Sequence, residues 1–474
     1  MEGQSFDQVA DVVPEDYELD FTTEGMPDAQ LNGLPAKLSV HRVYPVNALG
    51  EHVAKHAVVL IHGRSVPGPV VFDLQFTAPD GGPGGGPGGG DLKLSVQRAL
   101  AWAGIDTFVP SLLGYGKSTR FSLDDPYNAS LRGYPTDDTG AVLPCPYPEG
   151  CDSTSNPAIF PLDQQGTMLL NNPLDGKRHK HTRNVRFART DVWVRDIRQV
   201  IDFAIERSER NEVALVGYSL GGQTVGRTLY KMLGDAPPPK VSRVVFLNSL
   251  FFAVGPPDEP ANITSPTFPL TLNDRLGSDA NWQMPNEPLG GCGAATCSGH
   301  IIPGIQEQVW CQTLQLDPLG STWGAARHRP TGLNRSPTFS GYGWNRIVAG
   351  QLKTPTLVMQ GLEDTALPPG RTPAEISSDI FNSLSMTDKV LVQVQCASHA
   401  LQWEGCSGPR CTPASGTPYG VKYYPGSTTA AGAWTGPHAT LKAALIEWIK
   451  DETFNGKPSG SWIVDQSGVA RPAS

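Results

Sequence analysis

Apolar residues in this chain fall into short, nearly continuous blocks, separated by stretches in which they recur every three or four positions. Residues 57–61, 213–216, 243–247, 356–359 and 390–394 are blocks of the first kind. Runs this short, rich in Val, Leu and Ile, suit strands buried on both faces of a parallel sheet. Of the second kind, 189–207 is the clearest, with Val192, Ile197, Val200, Ile201, Ala204 and Ile205 near one face of a helix. Segments 92–103, 222–233, 374–384 and 439–449 also read as helices, and 36–44 and 107–110 as further strands. Strands alternating with helices predict an α/β protein with a doubly wound, mostly parallel sheet.

Two stretches break the alternation. Residues 119–186 are rich in Pro, Gly and Asn, and 251–350 carry Trp282, Trp310, Trp323 and Trp344 among turn-forming residues. Both follow strand ends, where α/β sheets place their active-site loops, and are expected to be insertions that form a loop-rich cap. The resulting division is an N-terminal extension (1–35), a core (36–250 and 351–451), the two insertions and a C-terminal tail (452–474). The Gly/Pro decapeptide 81–90 is low in complexity; no Gly-Lys-Ser/Thr follows it, so it is no phosphate loop.

The chemistry centres on Gly217-Tyr218-Ser219-Leu220-Gly221, which follows one apolar block and precedes a helical segment. Such a strand, sharp turn and helix leave a serine hydroxyl exposed at the apex, where a base can activate it. The orienting acid and the base are expected further on, each beyond a strand end. Asp364 stands just past the 356–359 block, with Glu363 as its rival. Asn248, at the other available strand end, cannot supply a carboxylate. His399 lies a few residues beyond the 390–394 block, and His438, opening the terminal helix, is the runner-up. His399 would take the Ser219 proton while Asp364 fixes its tautomer. The oxyanion donors are expected to be the backbone amides of Leu220 and of Arg64, after His62-Gly63. The Arg64 guanidinium either faces the pocket or bonds to loop carbonyls.

Five landmarks in order, His62-Gly63, Gly114-Tyr115-Gly116-Lys117-Ser118, Gly217-Tyr218-Ser219-Leu220-Gly221, Gly361-Leu362-Glu363-Asp364 and Ser398-His399, resemble those of the α/β-hydrolase superfamily over 36–250 and 351–451. The resemblance implies an eight-stranded, mostly parallel sheet and hydrolysis through an acyl-enzyme. It is to the HG-x oxyanion type, and a serine at the elbow speaks against the dehalogenase and epoxide hydrolase branches. The leading expectation is a serine esterase acting on an apolar or aromatic small-molecule ester, with Tyr218, Trp282, Trp310 and Trp323 against the substrate. The equal alternative for the tryptophans is that they pack the insertion's own small core. A proline-iminopeptidase-like amidase stays open, with Asp258, Glu259, Asp274, Asp279 and Glu287 available to hold an amino terminus. So do lactonase and thioesterase activities, and a binding role on the same fold.

Composition narrows the partners. A net charge of −9 argues against nucleic acid and anionic membranes, and no apolar stretch is long enough to span a bilayer. No cofactor or metal is expected, and the oligomeric state is unreadable. Residues 1–20 are acidic and lack the apolar core of a secretory signal. Six of the eight cysteines nevertheless form close pairs, Cys145/Cys151, Cys292/Cys297 and Cys406/Cys411. These predict local disulfide bonds and a secreted or periplasmic protein supplied without its leader, with a cytoplasmic one as the alternative. The three N-x-S/T sequences, at Asn128, Asn262 and Asn334, are about what chance provides.

Overall fold

The apolar blocks line up side by side, and their alternating side chains feed two separate cores. The computed structural model describes residues 8–27, 29–76, 94–121, 129–131, 188–235, 240–252, 270–273, 301–302, 304–321, 332–337, 339, 341–366, 370–405 and 436–473. In chain order the strands are β1 (Asp11–Thr22), β2 (Pro35–Val46), β3 (His56–Ile61), β4 (Ile105–Ser111), β5 (Ala129–Leu131), β6 (Val213–Tyr218), β7 (Val241–Leu247), β8 (Leu270–Asn273), β9 (Asn334–Pro337), β10 (Thr356–Gly361), β11 (Lys389–Val394), β12 (Gly460–Val464) and β13 (Ala470–Pro472). The helices are α1 (Gly68–Phe72), α2 (Val96–Trp102), α3 (Thr190–Ser208), α4 (Leu220–Met232), α5 (Ile305–Gln315), α6 (Pro318–Ser321), α7 (Arg346–Ala349), α8 (Pro373–Ser383) and α9 (Pro437–Asp451).

Ten strands form one sheet in the order β1-β2-β4-β3-β6-β7-β10-β11-β12-β13. The run from β4 to β12 is parallel, and β1, β2 and β13 pair antiparallel at the two sides. The doubly wound α/β expectation holds, with ten strands in place of eight. Three of the ten, β1, β12 and β13, lie in the segments expected to be extension and tail. In β1, Tyr17, Leu19 and Phe21 face the core while acidic residues line the outer edge, which discourages pairing with other chains.

Val59 and Ile61 of β3 point to the core under α3, α4, α7 and α8; Val58 and Leu60 point to the core under α1, α2, α5 and α9. Each fully buried aliphatic side chain contributes roughly 1.5–3 kcal/mol. This continuous burial makes the sheet a rigid base for whatever its carboxyl ends carry. Trp344, expected in the cap, is fully buried in the first core beside Phe246, and a Cβ at Gly226 would meet its ring at 2.5 Å.

The two insertions meet. Strand β5 from the first pairs parallel with β8 from the second, and β8 pairs antiparallel with β9, in a separate three-stranded sheet. Among the described residues no helix is long and apolar enough to cross a membrane. The disulfide expectation is corrected in its pairing: Cys396, which belongs to none of the close pairs, is disulfide-bonded, while Cys311 remains a thiol and donates to Glu307 Oε1 at 3.3 Å. The three close pairs, like the 81–90 decapeptide, lie outside the described residues.

Candidate active site

Ser219 joins β6 to α4 with φ 53° and ψ −122°, a conformation that costs a non-glycine residue on the order of 1–3 kcal/mol. The surroundings hold it there. Its N–H donates to Leu247 O at 2.8 Å, and Ser249 Oγ donates to its carbonyl at 3.1 Å. The flanking glycines are required by close approach: a Cβ at Gly217 would lie 2.5 Å from Gly222 Cα, and one at Gly221 2.4 Å from the His62 carbonyl oxygen.

His399 reaches the elbow from the loop after β11. Its Nε2 is 2.9 Å from Ser219 Oγ and its Nδ1 is 2.8 Å from Asp364 Oδ2. A carboxylate accepts, so Nδ1 carries the proton and Nε2 is left bare to accept from the serine hydroxyl. Asp364, with its side chain fully buried, also accepts from Gln360 Nε2 at 2.9 Å and from Ala366 N at 3.0 Å, which fixes the plane of its carboxylate. Asp364 rather than Glu363 meets the ring. His438, the runner-up base, is buried in the first turn of α9, and its backbone N–H donates to Glu404 O at 3.0 Å.

Three groups that the sequence did not single out for this role hold the Asp364 and His399 loops. Asn248 Nδ2 donates to the carbonyls of Ser398 and His399 at 3.1 and 2.8 Å, while its Oδ1 accepts from Gly361 N at 2.8 Å. It ties the acid loop to the base loop from the strand end where a carboxylate was sought, and that position was its only signal. Gln360 follows directly on the 356–359 block, near the end of β10. The third is Glu404, whose fully buried carboxyl accepts from Ser398 N at 2.9 Å and from Ser398 Oγ. Burial, reinforced by the nearby charge of Asp364, pushes this carboxyl up to about 8 despite the two bonds from Ser398.

The loop after β3 passes over the other side of the serine. A Cβ at Gly63 would sit 2.9 Å from Ser219 Cβ, so the chain lies directly against the nucleophile before turning into Arg64. His62 anchors its start: Nδ1 pairs with Gly63 O at 2.7 Å and Nε2 accepts from Leu112 N at 3.0 Å. Burial lowers this imidazole to about 4, which keeps it neutral and in the tautomer those two bonds require. Leu220 is the first residue of α4, so its N–H has no intrahelical acceptor. The Arg64 side chain is exposed.

The residues expected against the substrate fare differently. Tyr218 is 7% exposed and spends its hydroxyl on His399 O at 2.9 Å, with its ring 5.2 Å from the imidazole; it supports the histidine rather than lining a pocket. Burial raises this phenol well above its ordinary range. Trp310 is 2% exposed on α5, which fits the packing alternative. Trp282, Trp323 and the five acidic candidates of the amidase reading lie outside the described residues.

A family model described as the alpha/beta hydrolase fold matches residues 83–405, about two thirds of the chain. No curated protein matches the sequence. Among solved structures, a meta-cleavage product hydrolase from Pseudomonas fluorescens IP01 is 14% identical with a TM-score of 0.37, covering 77% of this chain and 89% of its own. A thermophilic esterase from Thermogutta terrifontis is 13% identical with a TM-score of 0.37, covering 82% and 93%. Likenesses this distant say nothing of substrate.

Proposed function

This chain belongs to the α/β-hydrolase fold family, and from that premise we propose that it is a serine hydrolase that cleaves a carboxylic ester through an acyl-enzyme. The observation that carries the reading is the unbroken relay from Ser219 Oγ through His399 to Asp364, with contacts of 2.9 and 2.8 Å. His399 Nε2 takes the hydroxyl proton as Oγ attacks the ester carbonyl carbon. The charge that develops on the carbonyl oxygen is met by the N–H groups of Leu220 and Arg64. As the tetrahedral intermediate collapses, the C–O bond to the alcohol breaks and the imidazolium returns the proton to the departing oxygen. Water then repeats the sequence: His399 takes its proton, hydroxide adds to the acyl carbon, and Ser219 leaves with the proton restored as the carboxylic acid is released. Asp364 stays ionised throughout and stabilises the imidazolium.

The test compares wild type with Ser219→Ala on p-nitrophenyl esters of graded acyl length, with aminoacyl anilides alongside. The expected result is ester turnover in wild type and a loss of about 10⁴-fold or more in kcat in the variant. Turnover surviving in Ser219→Ala assigns the wrong nucleophile. Anilide cleavage without ester cleavage replaces the esterase reading by the amidase one.

A further inference from the structure

We propose that Asn334, on the insertion strand β9, is a positioning residue of the oxyanion hole: its side-chain amide holds the Ser65 carbonyl and thereby the turn that presents the Arg64 N–H. The proposal rests on the serine-hydrolase reading above.

Ser65 has φ 74°, in the left-handed region that non-glycine residues avoid. Relaxation to negative φ would rotate the neighbouring peptides, Arg64's among them, away from the serine that Gly63 touches. Val66 N donates to Arg64 O at 2.9 Å across Ser65 and closes the turn, and two contacts from outside the loop hold Ser65 itself. Asn334 Nδ2 donates to Ser65 O across 269 residues of sequence, and Ser65 N points to the Tyr115 hydroxyl at 3.4 Å. Asn334 and Ser65 are 3% and 9% exposed, so the amide meets the carbonyl away from water, where a hydrogen bond counts for more.

The strand that carries Asn334 is itself fixed. Side chains alternate along β9, so Asn334 and Ser336 share one face and Arg335 occupies the other. Ser336 reaches the Tyr115 hydroxyl, the second support of the same turn. On the opposite face Arg335 grips the Asp317 carboxylate, with Nε 2.8 Å from Oδ2. Arg120 then bonds Arg335 O at 3.2 Å and Gly116 O at 3.1 Å, joining β9 to the loop that carries Tyr115. Asn334-Arg335-Ser336 reads as a glycosylation acceptor, yet its asparagine is buried with its amide engaged inside the fold.

The test measures Asn334→Ala and Asn334→Asp for kcat, KM, melting temperature and inhibition by an aryl trifluoromethyl ketone. In this adduct Ser219 Oγ bonds to the ketone carbon and the oxygen becomes the anion that the hole must hold. The expected result is a fall in kcat of about tenfold or more, with KM within about twofold and ketone affinity lost in parallel with kcat. Asp, with no amide to donate, should behave like Ala; should the alanine variant not fold, the aspartate variant of nearly equal size carries the same comparison. A folded variant whose kcat and ketone affinity both stay within about twofold of wild type overturns the proposal. So does a loss of kcat with ketone affinity unchanged, which is what a general packing defect would give. Failure of the underlying reading looks different: wild type itself would turn over no ester and take no fluorophosphonate label on Ser219.

Discussion

On the histidine side of Ser219, the groups that hold the Asp364 and His399 loops come from the central sheet and the chain just beyond it: Tyr218 at the end of β6, Asn248 after β7, Gln360 in β10 and Glu404 a few residues past His399. On the oxyanion side, the turn after β3 leans on Tyr115 and on Asn334, the latter contributed by an insertion some 270 residues away. The proton relay is thus organised by the same packing that makes the fold stable. The oxyanion loop instead leans on a strand of the separate three-stranded sheet. The two halves of one site should therefore fail in different ways, the first with its relay chemistry and the second with its alignment to the transition state.

The largest break is expected at Asp364→Asn. Asparagine keeps the size of the side chain and an oxygen for Ala366 N, but it can present an N–H to His399 Nδ1, which inverts the tautomer and leaves Nε2 protonated toward Ser219. A loss of about 10⁴-fold in kcat with little change in KM is expected from steady-state kinetics. A loss below tenfold would mean that another acid, Glu363 being the nearest in sequence, serves the histidine. Gly63→Ala probes the other half. Its methyl would need the space 2.9 Å from Ser219 Cβ and 3.2 Å from Tyr218 O, so the oxyanion turn must lift from the nucleophile. We expect kcat to fall about 10²-fold while KM and the melting temperature change little. Equal kcat in the two proteins would show that the turn yields without disturbing the donors.

The same division decides what could be read before the structure. The elbow, the acid and the base each follow a strand whose apolar block is unmistakable, so chain order and strand ends locate Ser219, Asp364 and His399. The ten-stranded extent of the sheet was partly legible: Tyr17, Leu19 and Phe21 alternate with Glu18 and Asp20, a period of two within a segment assigned to an extension. Trp344 shows the opposite error, since its place among turn-forming residues concealed that it fills the core between α4 and β7. Asn334 had no local signal at all. Its role depends on a pairing of two insertions and on the register of a four-residue strand, neither of which leaves a pattern along the chain.

Glu404→Gln is expected to have the smallest effect on turnover and sharpens the contrast most. The buried carboxyl is pushed up to about 8 in the fold from an ordinary value of 4.5, because burial and the neighbouring Asp364 disfavour its charge. A folded-state pKa above the unfolded one means that the folded protein binds the extra proton. The acid form is therefore favoured in the fold, and stability declines as pH rises from about 4.5 through 8. Glutamine resembles the neutral acid and can accept from Ser398 N while donating to Ser398 Oγ. The variant should lack this part of the decline and melt a few degrees above wild type at pH 9, with a smaller gap at pH 5. Thermal melts of both proteins across that range check it, and parallel curves would show that Glu404 is ionised in both states. Asn334→Ala should do the reverse, lowering turnover more than it alters the pH dependence of melting. A residue on the histidine side would then be felt mainly in stability, and one on the oxyanion side mainly in the rate.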